Sequence, residues 1–299
     1  MMAAQVETAL RGELLENEPM SRHTTWRVGG PAERFYKPAD LDDLVLFLSG
    51  LPADEPLFWF GLGSNLLVRD GGIRGTVVYT TNLLAEMARL EGNIVRAEAG
   101  VPCAKVARFC ARNGLVGVEF LAGIPGTMGG ALAMNAGAFG GETWEKVVAV
   151  ETLDRSGRHH LRRPKEYAVG YRSVHGPEGE WFVAAHLQLE EGDTESGQQR
   201  IRELLNRRGA SQPTKEANAG SVFRNPDGDY SARLIESCGL KGRCIGKACV
   251  SEKHANFIIN TGGATAANIE SLINEVAATV KEKTGIELER EVRIVGVEA

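Results

Sequence analysis

Three short polar clusters hold the residues best suited to chemistry: Tyr171-Arg172-Ser173, Gly220-Ser221-Val-Phe-Arg-Asn225-Pro226 and Glu289-Arg-Glu291-Val-Arg293. Each lies outside any helix-like apolar repeat, and each alone fits a plain role. A serine after a glycine commonly serves a turn, and a Glu-Val-Arg triplet commonly edges a solvated strand. No Gly-x-Ser-x-Gly elbow surrounds Ser221, which argues against a triad hydrolase. None of the six histidines has HExxH company; His159-His160 is expected in a hairpin turn and His254 in a structural role. Cys238, Cys244 and Cys249 do not have the spacing of a zinc knuckle, so no metal site is expected.

Two glycine loops accompany these clusters. Gly61-Leu-Gly63-Ser64-Asn65-Leu66 follows the apolar run Leu57–Phe60. As a dinucleotide fingerprint it fails twice: Leu66 stands where the third glycine belongs, and Thr80 and Thr81 stand where an acidic residue would read a ribose. It is not a P-loop, because no Gly-Lys-Ser/Thr follows. What remains is a strand-to-turn with successive N–H groups at Gly63, Ser64 and Asn65, suited to a phosphate or pyrophosphate; an ordinary turn with Asn65 in the left-handed region is the plain alternative. The second loop runs from Gly123 to Gly141, with seven glycines, four alanines, one proline and no charge. Backbone without Cβ atoms can lie against a flat ligand, at an entropic cost of roughly 0.5–1 kcal/mol per glycine. A buried turn and a small-residue helix would explain the same composition.

The elements that must position these residues are legible in part. Asp40 caps a predicted helix with Leu41, Leu44, Val45 and Leu48 inward, closed by Gly50. Pro102 opens another, with Ala104, Ala107, Phe109 and Cys110 inward, ended by Gly114. Ile201, Leu204 and Leu205 line a third, edged by Arg202, Arg207 and Arg208, after a polar segment 190–197 that reads as a domain junction. Ser231 is a candidate cap for a fourth, carrying Leu234, Ile235 and Cys238. The clearest runs from Thr265 through Ile269, Leu272, Ile273, Val276 and Val280 to Gly285. Strands are predicted at 57–60, 94–97, 147–153, 181–189, 257–260 and in the tail. The pattern is α+β.

A chain of 299 residues buries roughly three quarters of its unfolded surface, enough for two or three domains. The net charge of −5 and the lack of a basic run with interleaved aromatics argue against nucleic acid. No apolar run reaches membrane-spanning length, so no membrane insertion is expected. The amino-terminal Met-Met-Ala-Ala-Gln-Val-Glu-Thr lacks a leader's basic and apolar regions. Five cysteines without CxxC spacing read as reduced thiols of a cytoplasmic protein.

Taken together, Gly61-x-Gly-Ser-Asn-Leu-Leu, Gly123-Ile-Pro-Gly-x-x-Gly-Gly with Asn135-Ala-Gly-Ala, Gly170-Tyr-Arg172, Gly220-Ser-Val-Phe-Arg-Asn-Pro226 and Glu291-Val-Arg-Ile-Val-Gly296 resemble the UDP-N-acetylenolpyruvoylglucosamine reductase (MurB) family in order and spacing, from about Ser21 to Gly296. The span between Leu189 and Ser221 leaves little room for the tyrosine loop of one subtype, so the chain resembles the shorter subtype. The resemblance implies a two-lobed FAD-binding domain of the vanillyl-alcohol-oxidase (PCMH) type, lobe 1 at 1–80 with 291–299 as a candidate return and lobe 2 at 81–195, followed by an α+β substrate domain at 196–290.

It further implies an NADPH-dependent flavin oxidoreductase of peptidoglycan synthesis acting on UDP-N-acetylglucosamine enolpyruvate. Gly61, Gly63, Ser64, Asn65 and Leu66 would hold the FAD pyrophosphate. Gly123, Ile124, Pro125, Gly126, Gly129, Gly130, Asn135, Gly137 and Ala138, with Tyr171 and Arg172, would line the flavin. Ser221 would be the proton donor, with Arg172 and Glu291 as its catalytic partners. Asn225 and Arg293, with Arg208 and Gln212 toward UDP, would hold substrate. A flavin oxidase of the same fold is the first rival, but the segment Trp59–Ile73 offers no His or Cys to tether flavin, so non-covalent FAD is expected. A nucleotide-binding module without activity is the second.

Overall fold

The computed structural model describes residues 10–299, and the amino-terminal octapeptide read above for a leader lies outside them. A first sheet orders its strands Glu13–Pro19, Pro31–Lys37, Ile73–Tyr79 and Leu57–Phe60, the last two joins parallel. The strand period of two sends neighbours to opposite faces. Tyr36 and Val78 pack with helix α1 (Leu41–Ser49), while Phe35 and Val77 pack with Met20 and Phe60. The cap of α1 is as predicted, with Asp43 N–H donating to the Asp40 carboxylate at 2.9 Å.

The second sheet is antiparallel throughout, ordered His159–Arg162, Val147–Asp154, Glu180–Gln188, Ile94–Glu98 and Met87–Arg89. Val95, Ala97, Val150, Ala185 and Leu187 form its core face, under helices α2 (Cys103–Arg112) and α3 (Met128–Ala133). The opposite face carries Arg96, Glu151, His159 and His186. Burial works against the Glu151 charge, but hydrogen bonds from His186 and Arg96 hold its carboxyl well below the usual range. His159 and His160 therefore lie in a strand rather than in the turn expected for them; the turn is 155–158, where Gly157 takes φ +78.

Helix α4 (Thr194–Ser211) begins four residues into the polar segment read as a junction. Asp193 caps it, accepting the Ser196 N–H at 2.7 Å, so polarity there marks a helix start and not a linker. The core face of α2 is Cys103, Val106, Ala107, Cys110 and Ala111, one position round from the expected stripe.

The third sheet joins Cys244–Ile245, Ala248–Val250 and Ile258–Asn260, packed under α5 (Ser231–Ser237) and α6 (Ala266–Thr284). Ser231 is the first residue of α5, not its cap; its hydroxyl donates to Arg224 O. The core of this layer includes Trp26 and Leu67 from the amino-terminal part of the chain, and Trp26 Nε1 donates to Ile258 O at 2.7 Å. The final strand, Arg293–Val295, returns to pair in parallel with Leu66–Val68. One cysteine expectation fails: Cys244 and Cys249, opposite each other in the hairpin with Cα atoms 4.1 Å apart, form a disulfide, while Cys103, Cys110 and Cys238 are free and buried. Two-residue turn register, invisible to a CxxC search, brings the pair together. Among the described residues no helix is long and apolar enough to cross a membrane.

Candidate active site

The two glycine loops meet. A Cβ on Gly61 would lie 2.6 Å from Thr127 Oγ1, so here glycine is demanded by the approach of one loop to the other. Gly126 and Gly130 differ: the nearest protein atoms to a Cβ there are 3.4 and 3.8 Å away, ordinary contact distances, so packing within the protein does not demand glycine at these two positions and close approach of a ligand is the remaining reason for it. Gly63 takes φ +65, and no protein acceptor among the described residues receives the N–H groups of Gly63, Ser64 or Asn65. Unpaired N–H groups of this kind cost free energy when they lack a partner, and together they form an anion nest. A cavity of about 310 Å³ on one side of these loops is lined by Gly61, Thr127, Gly129, Gly130, Trp59 and Tyr167. Two side-chain atoms there, Trp59 Nε1 and Tyr167 OH, are buried without partners. One of about 400 Å³ on the other side is lined by Ser64, Asn65, Gly123, Ile124, Pro125, Gly137 and Ala138. Orphaned donors between two cavities and glycine-walled backbone fit a dinucleotide cofactor with a pyrophosphate in the middle.

The second cavity also collects Arg172, Ser221 and Glu291. Arg172 sits at the tip of a hairpin (Ala168–Gly170, Ser173–His175) with φ +53, a conformation that costs a side-chain-bearing residue about 1–3 kcal/mol. The strain aims its guanidinium inward. Nε donates to Glu291 Oε1 at 3.0 Å, Nη1 to Asn135 O at 3.3 Å and Nη2 to Gly137 O at 3.0 Å. Three of its five N–H donors are engaged, and two remain for a ligand. Glu291 is held by its own N–H to Val222 O at 2.8 Å and by Asn65 Nδ2 on its carbonyl at 3.2 Å. Burial raises its carboxyl above the ordinary range, although Arg172 opposes this.

Ser221 follows Gly220 at φ +76. Gly220 N–H donates to Asn218 Oδ1 and Val222 N–H to Asn256 O, both at 2.9 Å; these fix the backbone on either side, and among the described residues the hydroxyl has no protein partner. Near the end of α4, Arg208 Nε donates to Gln212 Oε1 at 3.1 Å, both facing the same cavity. Arg208 has no carboxylate partner among the described residues, and burial lowers its pKa, so it is poised for an anion.

Other expected residues lie elsewhere. Asn135 is buried and works within the fold: its amide donates to Glu142 Oε2 at 2.8 Å and its oxygen accepts Trp144 N–H at 3.1 Å. Leu66 packs in the first core. Tyr171 and Asn225 line a separate rim cavity of about 290 Å³, and Asn225 Oδ1 accepts the Ser231 N–H at the start of α5. Arg293 lines the 310 Å³ cavity instead. The sequence reading missed Phe139 and Arg207, which line the larger cavity with the Arg207 guanidinium 5.8 Å from the ring centroid. The helical period of α4 carried the signal for Arg207, since Arg207 and Ser211 share a face. Trp59 and Tyr167 carried none.

Fold and site define an FAD-binding oxidoreductase. The family profile described as an FAD binding domain matches residues 32–161, and that described as the UDP-N-acetylenolpyruvoylglucosamine reductase C-terminal domain matches 212–295. Reductases of that name from Methylococcus capsulatus and Alkalilimnicola ehrlichii are 63% and 60% identical, covering 98% and 99% of this chain and 97% and 99% of theirs. The crystal structure of the Thermus caldophilus reductase (MurB) superposes with a TM-score of 0.81 at 33% identity, over 96% of this chain and 99% of that one. The chain belongs to the UDP-N-acetylenolpyruvoylglucosamine reductase family.

Proposed function

We propose that this chain reduces UDP-N-acetylglucosamine enolpyruvate to UDP-N-acetylmuramate with NADPH as hydride donor, and that Arg172, Ser221 and Glu291 carry the chemistry. Family membership supports the reaction. One observation supports the assignment of roles: a single cavity gathers these three side chains from distant stretches of chain. FAD held along the glycine loops by Gly61, Gly63, Ser64, Gly126 and Gly130 would supply the hydride chemistry directed at C3 of the enolpyruvyl group, with NADPH as the source of reducing equivalents. Negative charge then develops on C2 and the carboxylate, and the two free N–H donors of Arg172 stabilise it electrostatically. Ser221 donates the proton to C2, a contribution typically worth about 10²–10⁴-fold. Serine is a weak acid alone. Glu291, whose carboxyl burial raises above its ordinary range against the opposing charge of Arg172, is the group placed to relay a proton toward the hydroxyl.

Arg208 and Gln212 take the diphosphate side of the substrate. No GxGxxG dinucleotide fingerprint that could mark a separate NADPH site occurs in the sequence, which supports NADPH and substrate using one cleft in turn. In this reading residues 1–80 and 81–195 hold the cofactor as two lobes, 196–290 hold substrate, and the reaction runs in the cytoplasm. The test is a pair of half-reactions on purified protein. NADPH should bleach the visible flavin band, and UDP-N-acetylglucosamine enolpyruvate should restore it under nitrogen with UDP-N-acetylmuramate as product by mass. A flavin that oxygen restores and this substrate does not would sink the proposal.

A further inference from the structure

We infer that Cys244 and Cys249 are a reversible dithiol–disulfide pair that sets how firmly the loop bearing Ser221 is held. The two face each other across a hairpin closed by Ile245 and Ala248, with Gly246 in the turn at φ +56. The spacing of 4.1 Å between their Cα atoms is near that of a non-hydrogen-bonded cross-strand pair. Cys244 is exposed and Cys249 half-buried, so the sulfurs are reachable. The other three cysteines are buried, and burial pushes the thiols of Cys103 and Cys110 up to about 12, which makes them inert toward exchange. The fold thus leaves one accessible thiol pair, already aligned.

The pair is tied to the site by a short chain of backbone contacts. Ala248–Val250 pairs with Ile258–Asn260 on its other edge. Asn260 N–H donates to Ala217 O at 2.9 Å, so the segment four residues before Ser221 extends this sheet. At the other end, Asn256 O accepts Val222 N–H, and Asn256 Oδ1 accepts Phe223 N–H at 3.0 Å. The Ser221 loop therefore hangs from both ends of the strand whose neighbour carries the staple. Reduction does not dissolve the hairpin, because Val250 N–H still donates to Arg243 O at 2.8 Å and Arg243 still pairs with Glu275 on α6 at 2.6 Å. It removes the covalent restraint and leaves a looser edge.

The oxidant is a low-molecular-weight disulfide of the glutathione class. One cysteine thiolate attacks its sulfur and displaces one thiol, giving a mixed disulfide. The second thiolate attacks the protein-bound sulfur and displaces the other thiol. The two cysteines lose two protons and two electrons, and the small disulfide becomes two thiols.

The rate consequence rests on Ser221 as proton donor; the thiol chemistry and the stability do not. Full-length, FAD-loaded protein is incubated with excess glutathione disulfide or with dithiothreitol. Differential alkylation with mass mapping, thermal melting and the two half-reactions are then measured. Oxidation is expected to protect Cys244 and Cys249 together and to raise the melting temperature by about 3–6 °C, as closure of so short a loop implies. Reoxidation of flavin by substrate should be about two- to tenfold slower in the reduced form, because looser positioning costs rate, with reduction by NADPH unchanged. Dithiothreitol should reverse each change, and a Cys244→Ser/Cys249→Ser variant should stay at the reduced values under both treatments. Single glutathione adducts, a bond that dithiothreitol leaves intact in the folded protein, or equal melting and reoxidation in both forms would overturn the inference. Were Ser221→Ala to reoxidise normally, the thiol map and melting shift would still decide whether the pair is a reversible staple.

Discussion

Removing Arg172 should damage the protein twice, and pH separates the two effects. The Arg172 and Glu291 side chains are 16% and 13% exposed, so the pair is largely desolvated. Arg172→Ala takes away the charge and the hydrogen bond that do most to hold the Glu291 carboxyl down, and leaves burial, opposed only by the weaker influence of the Arg224 charge, to raise it further. Breaking a buried pair by deleting one partner costs about 3–5 kcal/mol when the survivor stays charged. In a chain of this size that is a loss of about 5–10 °C in melting temperature. The survivor escapes by taking up a proton. A carboxyl whose folded pKa lies above its unfolded value binds more protons in the folded state, so stability falls as pH rises through the interval between the two. The loss in Arg172→Ala should therefore be small at pH 5 and large at pH 8. Arg172→Ala/Glu291→Gln should recover the melting temperature at pH 8 without recovering flavin reoxidation by substrate. Melting scans from pH 5 to 9 on wild type and both variants provide the assay. A pH-independent loss, or no recovery in the double variant, would refute the view of Glu291 as a buried carboxyl raised by desolvation.

Further outcomes follow from the same geometry. Acid precipitation of the purified protein should leave all flavin in the supernatant, because the stretch Trp59–Ile73 has no tethering His or Cys; flavin in the washed pellet would contradict this. Gly126→Ala, whose Cβ would make only ordinary contacts with protein atoms, should weaken FAD binding while leaving apoprotein melting within about 0.5 kcal/mol of wild type. Gly61→Ala, which must displace Thr127, should lower both; calorimetric titration and melting of the apoproteins distinguish the two. Arg208→Ala should raise KM for the UDP substrate by about tenfold or more, the scale of one lost charge-assisted hydrogen bond, with kcat changed far less; an equal fall in kcat would place Arg208 in the chemistry itself.

Much of this could be read from the sequence, for identifiable reasons. Helix α6 carries its period, its Thr265 cap and its Gly285 stop within one window, so local rules suffice. The helix α4 start was missed because Glu190–Gly197 is polar by composition, and only the Asp193 cap marks where the helix begins. Cys244 and Cys249 looked unpaired because hairpin register, not residue spacing, joins them. In the site, residue types were legible and geometry was not. Arg172 and Glu291 are 119 positions apart, and nothing local says that one hairpin tip and one strand end converge. Asn135 reads as a ligand-facing amide, yet the fold uses it to hold Gly170 and Trp144 in place. The first cavity, built from Trp59 and Tyr167, depends on packing between two sheets and left no pattern in the chain.

The central claim is that Ser221, with its hydroxyl free in the cavity, delivers the proton to C2. Single-turnover flavin reoxidation by UDP-N-acetylglucosamine enolpyruvate in Ser221→Ala tests it most directly, with NADPH-driven reduction measured on the same sample. The account predicts reduction near the wild-type rate and reoxidation slower by at least about 10²-fold. It also predicts substrate affinity within about tenfold, as one neutral hydrogen bond implies, and partial recovery in Ser221→Cys. Reoxidation within a few-fold of wild type, accompanied by a lower melting temperature, would contradict it and return Ser221 to the role of a turn residue.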